Sequence, residues 1–126
     1  MAWFSPSAGA KDAKSEWRDL LQKYRNQGHL LAVFGAGHLA VKWINFLCLS
    51  DLIDCVIDDN PNKTGMYMPG SKLPILPSGT LYDREIKVCI STLSPESEVK
   101  VRTKLSRYFE EGGIFIPAFK TMGQSP

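Results

Sequence analysis

Gly35-Ala36-Gly37-His38-Leu39-Ala40 fits the pattern G-x-G-x-x-G/A, and the apolar run Leu30-Leu31-Ala32-Val33-Phe34 stands directly before it. After a strand and at the head of a helix, such a turn lets a phosphate reach the backbone N–H groups at the helix N-terminus. Asp58 follows close to the spacing of an acid that bonds a ribose hydroxyl, about 20 residues on. The competing reading is that these glycines only let strand and helix pack closely.

His38 would stand in the first turn of that helix. It can hydrogen-bond a phosphate or act as an acid or base, although the positive helix end disfavours its charged form. The plainer alternative, a half-exposed histidine packed on the loop, carries more weight. Asp58-Asp59-Asn60-Pro61-Asn62-Lys63-Thr64-Gly65 would leave the carboxyl end of the next strand, the edge at which open α/β sheets bind ligands. Acids there accept hydroxyls and Lys63 can meet a phosphate. The same residue types also favour a turn for local reasons. Met66, Tyr67 and Met68, ahead of Pro69-Gly70-Ser71, form an apolar lip that could dock a neighbouring domain or a sugar ring, or fold back on the sheet.

Methyl-donor (S-adenosylmethionine) motifs of this type carry an acid just before the first glycine. Here those positions are Val33 and Phe34, and the turn has two glycines rather than three. The turn therefore does not read as a site for the methyl donor. Ser91-Thr92 has no histidine base nearby, and no catalytic set emerges. His29 and His38 and the absence of CxxC give no metal site. Cys48, Cys55 and Cys89 each sit in an apolar stretch and read as reduced core thiols, which suggests a cytoplasmic protein.

The elements that must position these groups follow from periodicity. Trp17, Leu20, Leu21 and Tyr24 share one helical face, with Asp12 or Ser15 as cap and Gly28 as close. Leu39, Trp43, Phe46 and Leu47 recur at helical spacing between His38 and Leu49. Ile53-Asp54-Cys55-Val56-Ile57 reads as a second strand, Leu73-Pro74-Ile75-Leu76 as a short edge strand, and Lys87-Val88-Cys89-Ile90-Ser91 as a core strand. Ser94-Pro95-Glu96 starts a helix that carries Val101, Leu105, Tyr108 and Phe109 on one face. Gly112-Gly113 ends it, and Ile114-Phe115-Ile116 is a last strand. The alternation predicts one α/β, Rossmann-like three-layer domain, with a mostly parallel sheet of about four to five strands and helices on both faces. Its expected limits are 15–119, after a flexible lead-in (1–14) and before a frayed tail (120–126).

The 126 residues, 44% hydrophobic and 22% charged, suit a single globular domain. A net charge of +2 without charge runs argues against nucleic-acid and membrane-surface binders. No stretch approaches a membrane span, and the N-terminus lacks the pattern of a signal peptide.

The run from Val33-Phe34-Gly35-Ala36-Gly37 through Asp58-Asp59-Asn60-Pro61-Asn62-Lys63-Thr64-Gly65 to Met68-Pro69-Gly70-Ser71-Lys72-Leu73-Pro74-Ile75 resembles the C-terminal domain of the sugar C-methyltransferase family. The resemblance spans roughly residues 15 to 119 and rests on D-x-N-P-x-K-x-G followed by P-G-x-x-x-P-I. It implies a Rossmann-like module beside a zinc-binding N-terminal region and a middle domain that binds S-adenosylmethionine and carries the catalytic base. The module would hold a nucleotide-linked sugar or similar acceptor. By position, Gly35, Gly37, Asp58, Asn60, Lys63, Gly65, Pro69 and Gly70 would form the substrate-facing edge, with His38 beside them. His38-Leu39-Ala40-Val41 departs from the small residue and lysine that usually follow the turn. Two alternatives remain open: a small nucleotide or NAD-binding Rossmann module, and a non-catalytic interaction domain.

Overall fold

The structure is a computed structural model that describes residues 12–119. The expected lead-in (except Asp12 to Lys14) and the tail lie outside the described residues. Helix α1, Ala13–Asn26, takes Asp12 of the two expected caps, its carboxylate accepting the Ser15 N–H at 2.9 Å, and so begins inside the expected lead-in. Strand β1, Leu31–Phe34, is wholly buried and leads through the glycine turn into α2, His38–Phe46. A single 3-10 turn, Ser50–Leu52, precedes β2, Cys55–Ile57. Then come β3 (Ile75–Leu76), the short helix α3 (Thr80–Asp83) and β4 (Val88–Ser91). Helices α4 (Pro95–Lys104) and α5 (Ser106–Glu110) lead to β5, Ile114–Pro117.

All five strands are parallel, in the order β3-β2-β1-β4-β5. The chain runs outward from β1 on one side, crosses back, and runs outward on the other, as in a doubly wound sheet. Side chains alternate along each strand and so feed two cores. Leu31 and Val33 join Trp17, Leu21, Trp43 and Ile44 under α1 and α2. Ala32 and Phe34 join Leu81, Leu105, Tyr108 and Phe115 under α3 to α5. The three-layer expectation holds, and the edge strand falls where Pro74 confines it.

Three expectations need correction. The buried face of α2 is Ala40, Trp43 and Ile44, with Leu47 just beyond. Leu39 and Phe46 point outward, Phe46 with 83% of its surface exposed. Two interleaved apolar sets share this helix, and only the set ending at Leu47 meets the Trp17 ring, 5.1 Å from Trp43. Met68 does not belong to an exposed lip: it is 2% exposed, although Met66 and Tyr67 stand out. Cys48 is not a core thiol. It is exposed and takes φ +53 where the chain turns off α2.

Candidate ligand crevice

The carboxyl ends of β1, β2 and β4 meet at the glycine turn. Gly35 has φ +103, and a Cβ there would come within 2.9 Å of Leu93 Cδ2 and 3.1 Å of Thr92 Oγ1. Thr92 closes the other side, its hydroxyl 3.0 and 3.1 Å from the carbonyls of Phe34 and Gly35. Gly35 is thus fixed by backbone conformation and by packing. Gly37 is under neither constraint. Its backbone is extended (φ −111, ψ −169), and apart from its own chain neighbours nothing lies within 4 Å of a Cβ placed there. It heads α2 without any side-chain cap, whereas α1 is capped by Asp12 and α4 by Ser94.

Between the two glycines, the Ala36 peptide is held on both sides. Asp58 Oδ2 accepts the Ala36 N–H at 2.9 Å, and Lys63 Nζ donates to the Ala36 carbonyl at 2.9 Å. Asp58 Oδ1 accepts the Asn60 N–H at 2.9 Å, and Asn60 Oδ1 in turn accepts the Asn62 N–H. The polar segment after β2 is therefore a folded turn and a wall of the crevice at once. Two of the roughly four lone-pair sites of the Asp58 carboxylate are used in this way, which leaves room for a hydroxyl donor.

The crevice has two lobes. One, of about 290 Å³, lies on the α2 side between Gly37, His38, Lys63 and Ser94. The other, of about 300 Å³, lies on the α4 side between Asn60, Asp59, Ser97, Lys100 and Lys104. Gly35, Asp58 and Leu93 border both. Asp59 Oδ1 accepts the Ser78 N–H at 2.7 Å and Oδ2 pairs with Lys104. Burial pushes the Asp59 carboxyl up, but the hydrogen bonds from Lys104 and Ser78 outweigh it and hold the group below the usual range. His38 is exposed on the wall of the α2-side lobe.

Of the sequence-derived site residues, Gly35, Gly37, His38, Asp58, Asn60 and Lys63 come together here. Gly65, Pro69 and Gly70 are not among the crevice walls. Gly65 (φ +90) donates its N–H to the Ile75 carbonyl and so sets the turn before β3. Pro69 accepts from Asn45 Nδ2 at 3.2 Å, and a Cβ on Gly70 would meet that same nitrogen at 2.6 Å. Sequence reasoning missed Leu93, Ser94, Ser97, Lys100 and Lys104. The signal was available: in a parallel sheet the turn after β4 must flank the turn after β1.

A larger hollow, about 590 Å³, lies on the outer side of α2 between Leu39, Trp43, Phe46 and Phe119. It is almost purely apolar, so the crevice, where polar groups converge, is the better candidate for a ligand site. The described residues hold no cluster of three or more His, Cys, Asp or Glu suited to a metal, and no helix among them is long and apolar enough to cross a membrane. The turn does not fit S-adenosylmethionine: the positions before Gly35 are Val33 and Phe34, both buried in the sheet.

No curated protein matches the chain. A solved structure of RSP in complex with beta-NADH shares the fold, with a TM-score of 0.53 and 15% sequence identity over 93% of this chain. The chain spans 59% of the length of that structural relative. Residues 4–119, nearly the whole sequence, match the model of the C-methyltransferase C-terminal domain. The likeness read from the D-x-N-P-x-K-x-G segment and the fold built around it thus meet in one assignment: the chain belongs to the C-methyltransferase C-terminal domain family.

Proposed function

We propose that this domain positions the acceptor, a nucleotide-linked sugar or a similar small molecule, for an S-adenosylmethionine-dependent C-methyltransferase. Methyl transfer itself would fall to a partner domain that binds the methyl donor and supplies the base, on the same or a separate chain. The observation that carries this reading is Gly37. Neither packing nor backbone conformation demands a glycine there, so its missing side chain serves access to the uncapped helix end. An anion approaching that end would meet outward N–H groups and the positive end of the helix dipole. Asp58 retains acceptor sites for a sugar or ribose hydroxyl, and Asn60 offers an amide at the same mouth.

Amide chemical-shift titrations with uridine diphosphate glucose, S-adenosylmethionine and NADH, each alone, test the reading. Shifts at Gly35 to Ala40 and Asp58 to Gly65 with the nucleotide sugar alone are the expected result. Movement of those amides with S-adenosylmethionine would overturn the division of labour. A second reading, a dinucleotide-binding module, draws on the free acceptor sites of Asp58 beside the glycine turn. It would be favoured if NADH alone moved those amides.

A further inference from the structure

Helix α2 carries a single charged residue, Lys42, among its nine. Its inner face packs on the sheet, and its outer face sets Leu39 and Phe46 into the walls of the apolar hollow, with Trp43 and Phe119. A helix that is apolar all round is normally covered all round. The outward stripe of α2 therefore calls for a cover. Residues 1–11 precede α1 and lie outside the described residues. They carry Trp3-Phe4, followed by Ser5-Pro6-Ser7-Ala8-Gly9-Ala10, a run with no large side chain. The family match begins at Phe4 and so takes in the stretch from Phe4 to Lys11.

The distances suit such a cover. The eight residues from Phe4 to Lys11 span up to about 26 Å when extended. Trp17 lies five residues beyond Asp12, about 7.5 Å along the helix. Its ring is 5.1 Å from that of Trp43, which lines the hollow. Packed helices run about 8–10 Å apart, so the hollow opens within roughly 20 Å of Asp12. The segment after Phe119 starts at the hollow as well, but residues 120–126 offer only Met122 as a large apolar side chain.

We propose that the hollow on α2 is the seat of the segment preceding α1, with Trp3 and Phe4 laid against Leu39 and Phe46. Leu39 also borders the α2-side lobe of the crevice, so the seated segment flanks the candidate ligand site. The inference rests on the outer face of α2 and is independent of the acceptor-holding reading.

Nuclear Overhauser contacts in the intact chain test it. The rings of Trp3 and Phe4 should contact the methyl groups of Leu39 and Leu47, and a labelled chain diluted into unlabelled chain should keep those contacts. Replacing Trp3 and Phe4 together by alanine should shift the amides from Leu39 to Leu47. It should also speed tryptic cleavage after Lys11 by about tenfold or more, because cleavage follows the population of the released segment. Phe46→Ala alters an exposed position and should release the segment to cleavage without unfolding the domain. Unchanged cleavage in both variants, or absence of the ring-to-methyl contacts, would overturn the proposal. So would contacts found only between labelled and unlabelled chains, which would make a second copy the occupant. Met122→Ala should leave the Leu39 to Leu47 amides in place. If it moved them while the Trp3 and Phe4 variant did not, the segment after Phe119 would hold the seat and the proposal would fall.

Discussion

Asp58 accepts the Ala36 N–H across the gap between β2 and β1, and so an acid on the crevice wall also braces the glycine turn. The carboxylate holds a second backbone N–H, from Asn60. Asp58→Ala should therefore act on stability as well as on binding. Two hydrogen bonds to a charged, half-buried acceptor are lost, and the expected cost is about 2–3 kcal/mol. A urea melt should show a lower midpoint with unchanged slope. Asp58→Asn, which keeps one acceptor oxygen, should recover part of the loss.

The two glycines of the turn should part company on substitution. Gly35→Ala places a methyl group 2.9 Å from Leu93 in a left-handed backbone, and should cost about 2–4 kcal/mol from strain and overpacking. Gly37→Val meets open space in an extended backbone, and should shift the midpoint little. It should nevertheless abolish nucleotide-sugar binding, because a branched side chain then covers the α2 N-terminus. Thermal melts and a binding titration on the two variants make the comparison. Large destabilisation by Gly37→Val would sink the access role assigned to that glycine.

The fold was legible because its signals are local and redundant. Leu31 to Phe34 is apolar throughout, as a strand covered on both faces must be. Ser94 and Pro95 mark a helix start that the Ser94 side chain confirms by accepting the Ser97 N–H. Half of the crevice was legible for the same reason, since Gly35, Gly37, Asp58, Asn60 and Lys63 lie in two contiguous motifs. Lys100 and Lys104 were not, because nothing near them in sequence distinguishes them from solvated lysines. Only the fold brings Lys104 to Asp59 and Lys100 to the same lobe. Met68 and Phe46 misled in opposite directions. Both are large and apolar, and which one is buried depends on whether the loop folds under β3 and on which of two overlapping stripes of α2 meets Trp17.

The cysteines offer a direct chemical check. Cys55 and Cys89 both pair in register with Ala32, on opposite sides of β1. They therefore lie two strand spacings apart, roughly 10 Å, too far for a disulfide. Burial pushes the Cys55 thiol up to about 11 and raises that of Cys89 well above its usual value. Both should stay protonated and unreactive at pH 8. Cys48 is exposed. An aromatic disulfide reagent should thus titrate one thiol per native chain and three after denaturation. Rapid labelling of more than one thiol in the native protein would contradict the packing described for β2 and β4.

Acid sensitivity follows from the lowered carboxyls. Asp51 is held down by its hydrogen bonds from Arg18, against the effect of burial. Asp59 is held down by Lys104 and Ser78, although burial alone would raise it. A carboxyl whose folded-state pKa is depressed stabilises the fold above its unfolded value of about 3.9. That contribution disappears as pH falls through the lower folded value. Stability should therefore be flat with respect to these two groups from neutral pH down to about 5, and should decline below about 4. In an Asp51→Asn, Asp59→Asn variant, the low-pH decline should be shallower and the neutral-pH stability lower. A variant as acid-sensitive as the parent would assign the decline to other carboxyls.

Tyr108 is 2% exposed, and its hydroxyl has no hydrogen-bond partner among the described residues. Its ring is well placed, edge-on to Tyr82 at 6.4 Å and to Phe109 at 5.9 Å. It also occupies the space that a Cβ on Gly113 would enter, 2.4 Å from the ring. The ring and the hydroxyl therefore make opposite contributions. A buried hydroxyl left without a partner costs about 1–3 kcal/mol, by the scale of protein mutational data. Tyr108→Phe keeps every ring contact and removes that cost, so it should raise the melting midpoint, by about 1 kcal/mol in stability. Gly113→Ala should do the reverse, since the ring sits in a packed core and can yield only by disturbing Leu105 and Phe115. If Tyr108→Phe proved destabilising by more than about 1 kcal/mol, the hydroxyl must have an acceptor, and a bridging water would be the first partner to seek. Denaturant melts of the two variants against the parent chain decide between these outcomes, because the signs are opposite.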